Sequence, residues 1–365
     1  MIDEKLSGEK DAAKITEISK TGYQLLKDNK TSDAIDCFSK ILLLDENNNY
    51  ALVGMGDASR KIGSIKEAVK YYQRCLEHHA GNNYALFGLA DCYKAMNQYQ
   101  KAIGIWEQYL LHDDKNITVL TRIADAYRKV RDFAKSKNTY QKVLDMEAAN
   151  PYAIIGLGHL HYDFKHYKEA LFYWEKMMNT DVDIRVLTSI GNCHRKLKTF
   201  SDGIIYFETA LARDEQNFYA LFGLADCYRG MNKMEKSLEY WAIILEQDPK
   251  NKMILTRTGD ALRNINEYEK AKTYYEKALN IEFDIYAVLG LALISKEQKK
   301  YDEAITSLKK LIQQDNKNYR LYYELSDCYL KKGDKKSSIE TLESFQKLGI
   351  KNQKISDMLE SLTRT

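Results

Sequence analysis

A motif that returns about every 34 residues constrains the fold of this chain more than any other feature of the sequence. Its clearest copies, NYALFGLADCY at 83–93 and FYALFGLADCY at 218–228, begin 135 residues apart. A regular period of this length indicates stacked supersecondary units, because one such unit cannot bury its apolar face alone. The chain is therefore expected to form an array of repeats without a single closed core.

Ten repeats fit this period, and we number them from 1 to 10 in chain order. Their ranges are 15–48, 49–82, 83–116, 117–150, 151–183, 184–217, 218–251, 252–284, 285–318 and 319–352. Position 8 of each repeat carries a small residue, position 20 another small residue, and position 24 a large one. Helices that cross closely need this pairing, because a bulky side chain must fill the space above Gly, Ala or Ser. Apolar residues spaced by three and four predict two helices in each repeat.

This pattern resembles the tetratricopeptide repeat, a helix–turn–helix unit with small residues at positions 8 and 20 and large residues at 4, 11 and 24. The resemblance extends over residues 15–352 and implies an all-α fold, a right-handed α-solenoid of ten repeats. The family usually has a proline near position 32, and here only Pro249 occupies that place. The other repeats end in polar runs, whose Asn and Asp residues are expected to end one helix and cap the next.

Two short segments flank the repeats. Residues 1–14 are polar and of mixed charge, so we expect them to fray. Residues 353–365 are expected to form a capping helix, since Ile355, Met358 and Leu362 fall on one helical face. No apolar run is long enough to insert into a membrane, and no secretory leader is visible. These observations predict a cytoplasmic protein, or a periplasmic one if a natural signal sequence was removed.

The cysteine and histidine positions predict packing roles and no cofactor. Cys92 and its equivalents in three other repeats occupy position 10, and residues in different repeats lie too far apart for disulfides, which need Cα atoms within about 7 Å. His161 and His194 occupy position 11, where other repeats carry tyrosine. Neither a CxxC pair with matching histidines nor a nucleophile, metalloprotease or nucleotide-binding motif occurs. The sequence therefore predicts a protein without a metal site and without catalytic activity.

Specific chemistry is concentrated at the first-helix positions that line the concave face in tetratricopeptide proteins. Position 2 repeatedly carries tyrosine, and position 5 alternates between an apolar residue in odd repeats and threonine in even ones from repeat 3 onward. Position 9 is mostly aspartate, and position 12 is mostly arginine or lysine. The candidate partner-binding residues in these rows are Tyr84, Phe87, Asp91, Lys94, Asp125, Arg128, Tyr152, Arg195, Tyr219, Phe222, Asp226, Arg229, Asp260 and Arg263.

Two features of these rows each allow two interpretations. The aspartate and the basic residue are three apart on one helical face, so they can brace the helix and bridge successive repeats. They can instead bind the backbone of an extended peptide that tyrosine and phenylalanine anchor. The alternation has a double period of 67–68 residues. It can reflect duplication of a two-repeat block, or alternating apolar and polar rungs along a groove.

The predicted function is a non-catalytic protein-interaction scaffold that binds an extended peptide or partner segment in the concave groove. The alternatives are a regulatory or targeting subunit of an enzyme complex, and a self-assembling component of a bacterial motor or envelope assembly. A carboxylate-clamp chaperone tail is not expected, because no basic residue occupies position 5. Nucleic acid is not expected either, since the net charge is +3 and the aspartate row repels phosphates.

Overall fold

The structure is a computed structural model that describes residues 2–177 and 182–364, with side chains from residue 12 onward. All regular secondary structure in these residues is helical. The helices are α1 (Ile2–Lys27), α2 (Thr31–Leu44), α3 (Asn49–Lys61), α4 (Ile65–His78), α5 (Asn83–Ala95), α6 (Tyr99–Leu110), α7 (Ile117–Lys129), α8 (Phe133–Met146), α9 (Pro151–Asp163), α10 (Tyr167–Glu175), α11 (Ile184–Leu197), α12 (Phe200–Leu211), α13 (Phe218–Gly230), α14 (Met234–Gln247), α15 (Lys252–Asn264), α16 (Tyr268–Ile281), α17 (Ile285–Glu297), α18 (Tyr301–Gln314), α19 (Tyr319–Lys332), α20 (Lys335–Gln346) and α21 (Gln353–Thr363).

The helices α1–α20 form ten consecutive pairs, one pair for each repeat. From α3 onward, the first helix of every pair begins at the first residue of a repeat as the sequence divides them. The all-α solenoid of helix pairs that the sequence predicts is confirmed. Every described helix lacks the combination of length and apolar character that a membrane span requires.

Polar residues at the repeat junctions start the first helices. The N-cap side chain of each first helix from α3 to α19 is an Asn or an Asp, and it accepts a hydrogen bond from a backbone N–H of the first turn. Such a cap satisfies one of the N–H groups that have no partner within the helix. This confirms the prediction that Asn and Asp take the role of the missing prolines.

The turn inside each repeat has one backbone feature that is the same in all ten. Position 15 has a positive φ, and its residues are Asn29, Gly63, Asn97, Arg131, Lys165, Lys198, Asn232, Asn266, Lys299 and Gly333. Asn and Gly adopt this left-handed conformation at low cost, whereas Arg and Lys do so less readily. The shared turn geometry therefore overrides local preference at four of these positions.

Aromatic rings at position 24 pack onto the small residues of the first helices, as the sequence predicts. The Tyr72 ring lies between Gly56 of its own repeat and Gly88 of the next, where added Cβ atoms would come within 2.5 Å and 2.4 Å of it. A Cβ on Gly223 would lie 2.2 Å from Phe207 in the same way. No side chain fits at such distances, so glycine is required where the neighbouring ring approaches.

Contacts between helices divide the chain into two compact units, Met1–Asp181 and Val182–Thr365. In the N-terminal unit, buried side chains of successive repeats share small cores, such as the core that contains Trp106 of repeat 3 and Ile123 of repeat 4. The C-terminal unit is built in the same way, with a core for each pair of neighbouring repeats from repeat 7 onward. Burial is thus distributed along each unit, as expected for a repeat protein.

A helix lies at each end of the described chain. Helix α21 buries Ile355 and Leu362 against Phe345 and its neighbours, while Asp357 and other polar residues stay exposed. At the other end α1 begins at Ile2, so the backbone of residues 2–14 is continuous with the first helix of repeat 1. That segment contains no proline to stop a helix. The side chains of residues 1–11 lie outside the described residues.

Repeats 5 and 8 are one residue shorter than the other repeats. The turn between α16 and α17 has three residues, whereas the turn between α14 and α15 has four, so repeat 8 is shorter because this turn is trimmed. The corresponding prediction for repeat 5 falls on residues 178–181, outside the described residues.

Candidate partner-binding site

Tyrosines at position 2 form the most exposed aromatic row of the first helices. The exposed fractions are 79% for Tyr84, 75% for Tyr152 and 68% for Tyr219, and Tyr50 and Tyr286 are also more than half exposed. Each residue follows the N-cap by two places, where the side chain projects from the first turn and does not enter the core. The predicted residues Tyr84, Tyr152 and Tyr219 are therefore accessible to a partner.

Asp91 in repeat 3 joins side chains from three successive repeats. Its Oδ2 accepts from Nη2 of Arg60 on α3 at 3.1 Å, and its Oδ1 accepts from Nη1 of Arg122 on α7 at 2.5 Å. The Arg122 guanidinium also lies over the half-buried Phe87 ring, 4.7 Å from its centroid. We call Arg60, Phe87, Asp91 and Arg122 the Asp91 cluster.

Asp226 in repeat 7 has the equivalent arrangement with one more arginine. Its carboxylate accepts from Arg195 at 2.6 Å, from Arg257 at 2.8 Å and from Arg229 at 3.0 Å. Arg257 lies over Phe222, 5.0 Å from the ring centroid. Asp226 is only 3% exposed. We call Arg195, Phe222, Asp226, Arg229 and Arg257 the Asp226 cluster.

The aspartate at position 9 of repeats 2, 4 and 8 is satisfied inside the repeat. The phenol at position 24 donates to this aspartate, from Tyr72 to Asp57 at 2.6 Å, from Tyr140 to Asp125 at 2.7 Å and from Tyr275 to Asp260 at 2.8 Å. Burial raises the pKa of the three phenols, and the neighbouring aspartate raises it further. The phenols therefore remain protonated and act as donors.

The identity of the residue at position 24 explains why the odd repeats differ. Repeats 3 and 7 carry Trp106 and Trp241 there, and an indole has no hydroxyl to offer Asp91 or Asp226. Arginines from the neighbouring repeats bind these carboxylates instead. Among repeats 2, 3, 4, 7 and 8, Tyr at position 24 thus accompanies an aspartate that is bonded inside its repeat, and Trp accompanies one that is bonded by arginines.

The threonines at position 5 do not form polar rungs. Thr188 and Thr256 are buried, and each donates its hydroxyl to a carbonyl of its own helix at 3.1 Å. The half-buried Thr121 does the same with Ile117 at 3.0 Å. A hydroxyl that is bonded within its helix is not presented to a ligand. The interpretation of alternating apolar and polar rungs is therefore wrong for the threonine positions.

Some of the other predicted residues form ion pairs between repeats, and others have no such partner. Arg128 pairs with Asp163 of the next repeat at 2.5 Å and with Asp125 at 3.3 Å. Lys94 is exposed and forms no ion pair within residues 12–177. Arg263 is half-buried, and its Nε has no hydrogen-bond partner among the described atoms. The aspartate and basic rows thus bridge successive repeats at several places, which is one of the two roles that their spacing allows.

Sequence reasoning missed the two arginines at position 6. Arg122 and Arg257 belong to even repeats and reach back to the aspartate of the preceding odd repeat. A signal was present from repeat 3 onward, because the odd repeats there carry glycine at position 6, as at Gly88 and Gly223, and the even repeats do not. Comparing position 6 between odd and even repeats would have marked these arginines as an alternating feature.

A surface groove lies beside the Asp91 cluster and has a volume of about 800 Å³. Its walls come from the C-terminal ends of α3 and α5, from the starts of α4 and α6, and from Arg122 in the middle of α7. The charged residues that line it are Asp57, Arg60, Lys61, Asp91, Lys94 and Arg122. The groove is therefore polar and carries more positive than negative side chains.

The histidines lie in packing positions, as the sequence predicts. His161 is buried, with its ring centroid 5.2 Å from that of Phe133 and 5.4 Å from that of Tyr173. Burial lowers the pKa of His161, and it does the same for His159. Within the described residues no group of three or more His, Cys, Asp or Glu side chains is arranged to hold a metal ion.

Models of the tetratricopeptide repeat match five stretches of this sequence that together take in more than half of it. The matched residues are 60–122 and 296–346, 117–150 and 254–285, and 219–251. No curated protein matches the sequence.

Several solved tetratricopeptide structures are similar in fold. A tetratricopeptide repeat protein from Parabacteroides merdae is 15% identical with a TM-score of 0.44, and the match covers 74% of this chain and 94% of that one. Yeast Tom70 is 15% identical with a TM-score of 0.44, over 96% and 95% of the two chains. YrrB, described as a TPR protein with an unusual peptide-binding site, is 20% identical with a TM-score of 0.44, over 50% of this chain and 95% of that one.

Proposed function

Because the chain belongs to the tetratricopeptide repeat family, we propose that it is a protein-interaction scaffold whose first-helix surface binds an extended segment of a partner protein. The observation that carries this proposal is the row of exposed tyrosines at position 2 of the first helices. In this family these helices line the concave surface. An extended segment that follows several repeats would meet one tyrosine after another.

Packing does not account for the tyrosines at position 2. Tyrosines at position 24, such as Tyr72 and Tyr275, are fully buried and fill the space above glycines. Tyr84 and Tyr219 fill no such space, since more than two-thirds of each residue is exposed. Tyrosine combines a large apolar ring with a hydroxyl and loses little conformational entropy on binding, which makes it a frequent anchor at protein interfaces. A binding role therefore explains their recurrence better than a structural one.

The carboxylates on the same helices favour binding over acid–base chemistry. Asp91 and Asp226 are held by arginines, and Asp57, Asp125 and Asp260 accept hydrogen bonds from phenolic hydroxyls. A carboxylate that already accepts hydrogen bonds from these donors is fixed in position. The fixed carboxylates at position 9 and their donors thus make the first-helix surface rigid, and the tyrosines at position 2 are available to contact a partner.

The experiment compares two matched surface variants of the full chain. One variant replaces Tyr84, Tyr152 and Tyr219 by Ser, and the control replaces the similarly exposed Phe172 and Ile205 of second helices α10 and α12 by Ser. Both are used to capture partners from lysate of the source cells, after circular dichroism has shown that they are folded. Loss of a partner with the tyrosine variant alone supports the proposal.

Two outcomes would count against it. If the folded tyrosine variant keeps every partner of the wild-type chain, the position 2 row is not the binding surface. If the wild-type chain captures only itself, and light scattering shows a defined oligomer, self-assembly is the better description. A partner that is lost equally from both variants would point to surfaces outside the first helices.

A further inference from the structure

Both aspartate clusters contain more cations than anions. At Asp226 three guanidinium groups surround one carboxylate, which leaves a net charge of +2. The groove at Asp91 is lined by Arg60, Lys61, Lys94 and Arg122 against Asp57 and Asp91, which also leaves +2. The whole chain carries a net charge of +3. Excess charge of one sign is a feature that a ligand of opposite charge would complement.

We propose, on the basis of the proposed function, that the Asp91 and Asp226 clusters each accept a carboxylate side chain of a bound segment, and that a segment bound at either cluster is therefore an acidic, extended polypeptide. The tyrosines at position 2 supply apolar contact, and the arginines supply charge recognition. Each unit of the chain carries one such cluster and can be tested separately.

The arginines at Asp226 face outward while their carboxylate does not. The side chain of Asp226 is 2% exposed, whereas those of Arg229 and Arg257 are 42% and 31% exposed. A guanidinium has five N–H donors, and a single carboxylate accepts at most about four hydrogen bonds. Arg257 uses only one of its nitrogens on Asp226. The remaining donors are positioned for a second carboxylate, for which the planar guanidinium is well suited.

The surroundings of Arg257 support the same conclusion. Its guanidinium is fixed by the Phe222 ring on one side and by Asp226 on the other. Burial lowers the pKa of Arg257, and the nearby Arg229 and Arg195 contribute to the lowering while Asp226 opposes it. A positive group that is already under repulsion gains more from an added anion than a well-paired one does.

Lys94 makes the equivalent contribution in the N-terminal unit. It lines the groove of about 800 Å³, is exposed, and has no ion-pair partner among residues 12–177. The groove aspartates are already engaged, Asp57 by the Tyr72 hydroxyl and Asp91 by two arginines. Lys94 is therefore the cation that a ligand carboxylate reaches without displacing an existing pair.

The test uses fluorescent peptides of about ten residues, which in extended form span roughly 33 Å. One peptide alternates Glu with Leu and Tyr, and its matched analogue has Gln in place of every Glu. Anisotropy with the full-length chain is expected to show that the Glu peptide binds about tenfold more tightly, with an advantage that shrinks as salt is raised. Arg229→Gln and Lys94→Gln should each weaken the Glu peptide by about two- to fivefold and leave the Gln peptide unchanged.

Lys250→Gln and Lys142→Gln are the control variants, because they remove the same charge from exposed residues outside the clusters. An equal loss with these controls means that only the overall charge matters, which overturns the inference. Equal binding of both peptides, lost when Tyr84 and Tyr219 are replaced, also overturns it and leaves the proposed function standing. Failure of both peptides to bind counts against both. Displacement of the Glu peptide by a short oligonucleotide at lower concentration assigns the clusters to phosphate and overturns the acidic-peptide assignment.

Discussion

Repeats 3 and 7 carry nearly the same motif but differ in how they hold its aspartate. The stretches 83–94 and 218–229 differ only at the first residue and at the last, where Lys94 corresponds to Arg229. Asp91 binds two arginines and its side chain remains 11% exposed, whereas Asp226 binds three and is 2% exposed. A single Lys-to-Arg difference thus accompanies the closing of the carboxylate from solvent.

The neighbouring repeats supply the part of the network that the two clusters share. Arg60 and Arg195 come from position 12 of the preceding repeat, and Arg122 and Arg257 come from position 6 of the following one. The motif alone therefore does not determine the environment of its aspartate. Position 24 of both repeats is a tryptophan, which has no hydroxyl to donate to the aspartate. The carboxylate therefore accepts hydrogen bonds from arginines of the flanking repeats.

The largest expected effect comes from removing each carboxylate. Asp226→Asn leaves three partly exposed arginines around a neutral side chain that stays buried, and should lower the free energy of unfolding by about 3 kcal/mol. Asp91→Asn leaves two arginines in a more open groove and should cost about 1 kcal/mol. Urea unfolding followed by circular dichroism measures both.

If the two clusters differ as described, Asp226→Asn must lower the free energy of unfolding more than Asp91→Asn does. Asp145→Asn on α8, an exposed residue, serves as the control for loss of one negative charge and should change stability little. If Asp91→Asn destabilises the chain as much as Asp226→Asn, the third arginine does not distinguish the clusters.

Glycine at position 6 should give an effect that is equal in the two copies. Gly88→Ala and Gly223→Ala each place a Cβ within 2.4 Å and 2.2 Å of a ring, so each should cost about 1–3 kcal/mol by overpacking. Gly104→Ala in α6 is the matched control, since nothing lies within 4 Å of its added Cβ. It should stabilise the chain by up to about 1 kcal/mol, because alanine is the better helix former.

Thermal unfolding of the three variants tests this pair of predictions. A Gly104→Ala variant that is as unstable as the other two would mean that the ring contacts do not set the cost. A much larger effect at one of the two copies would show that their cores are packed differently.

Sequence reasoning found the repeats because small and large residues alternate at fixed positions, and it found the junctions because Asn and Asp recur there. It also placed Tyr84, Tyr152 and Tyr219 on an accessible row. It did not find the contacts of Arg122 and Arg257, which cross from one repeat to the next and occur in only some repeats. Nor did it find the positive φ at residues such as Lys165, because the turn and not the residue type imposes it.

Acid should affect the two units differently. Repeat 5 of the N-terminal unit has His161 at position 11, where repeat 7 of the C-terminal unit has Tyr228. The groups that face His161 are His166 and Lys137, which disfavour its protonation, and Glu169, which favours it. Burial holds the pKa of His161 below its usual value of 6.5, so the folded state favours the neutral ring. Its contribution to stability is present above pH 6.5 and is lost as pH falls through the lowered folded value.

Hydrogen exchange at several pH values locates this loss. Protection of α9 should fall on acidification more than protection of α13, and His161→Tyr, which installs the residue of the other repeats, should reduce the difference. His159, whose pKa burial also lowers, is unchanged in that variant and leaves part of the pH dependence. Equal acid sensitivity of α9 in the wild type and in His161→Tyr would show that His161 is not responsible.

The smallest expected effect is also the sharpest test of the comparison between repeats 3 and 7. Lys94→Arg gives repeat 3 the residue that repeat 7 has at this position, and a guanidinium there can donate to Asp91 as Arg229 does to Asp226. Because the added pair is partly exposed, it should stabilise the chain by only about 0.5 kcal/mol. The gain should disappear in the Asp91→Asn background, so a double-mutant cycle separates it from a general effect of arginine. A cycle with no coupling would mean that the third arginine at Asp226 depends on its own repeat and cannot be transferred by this one substitution.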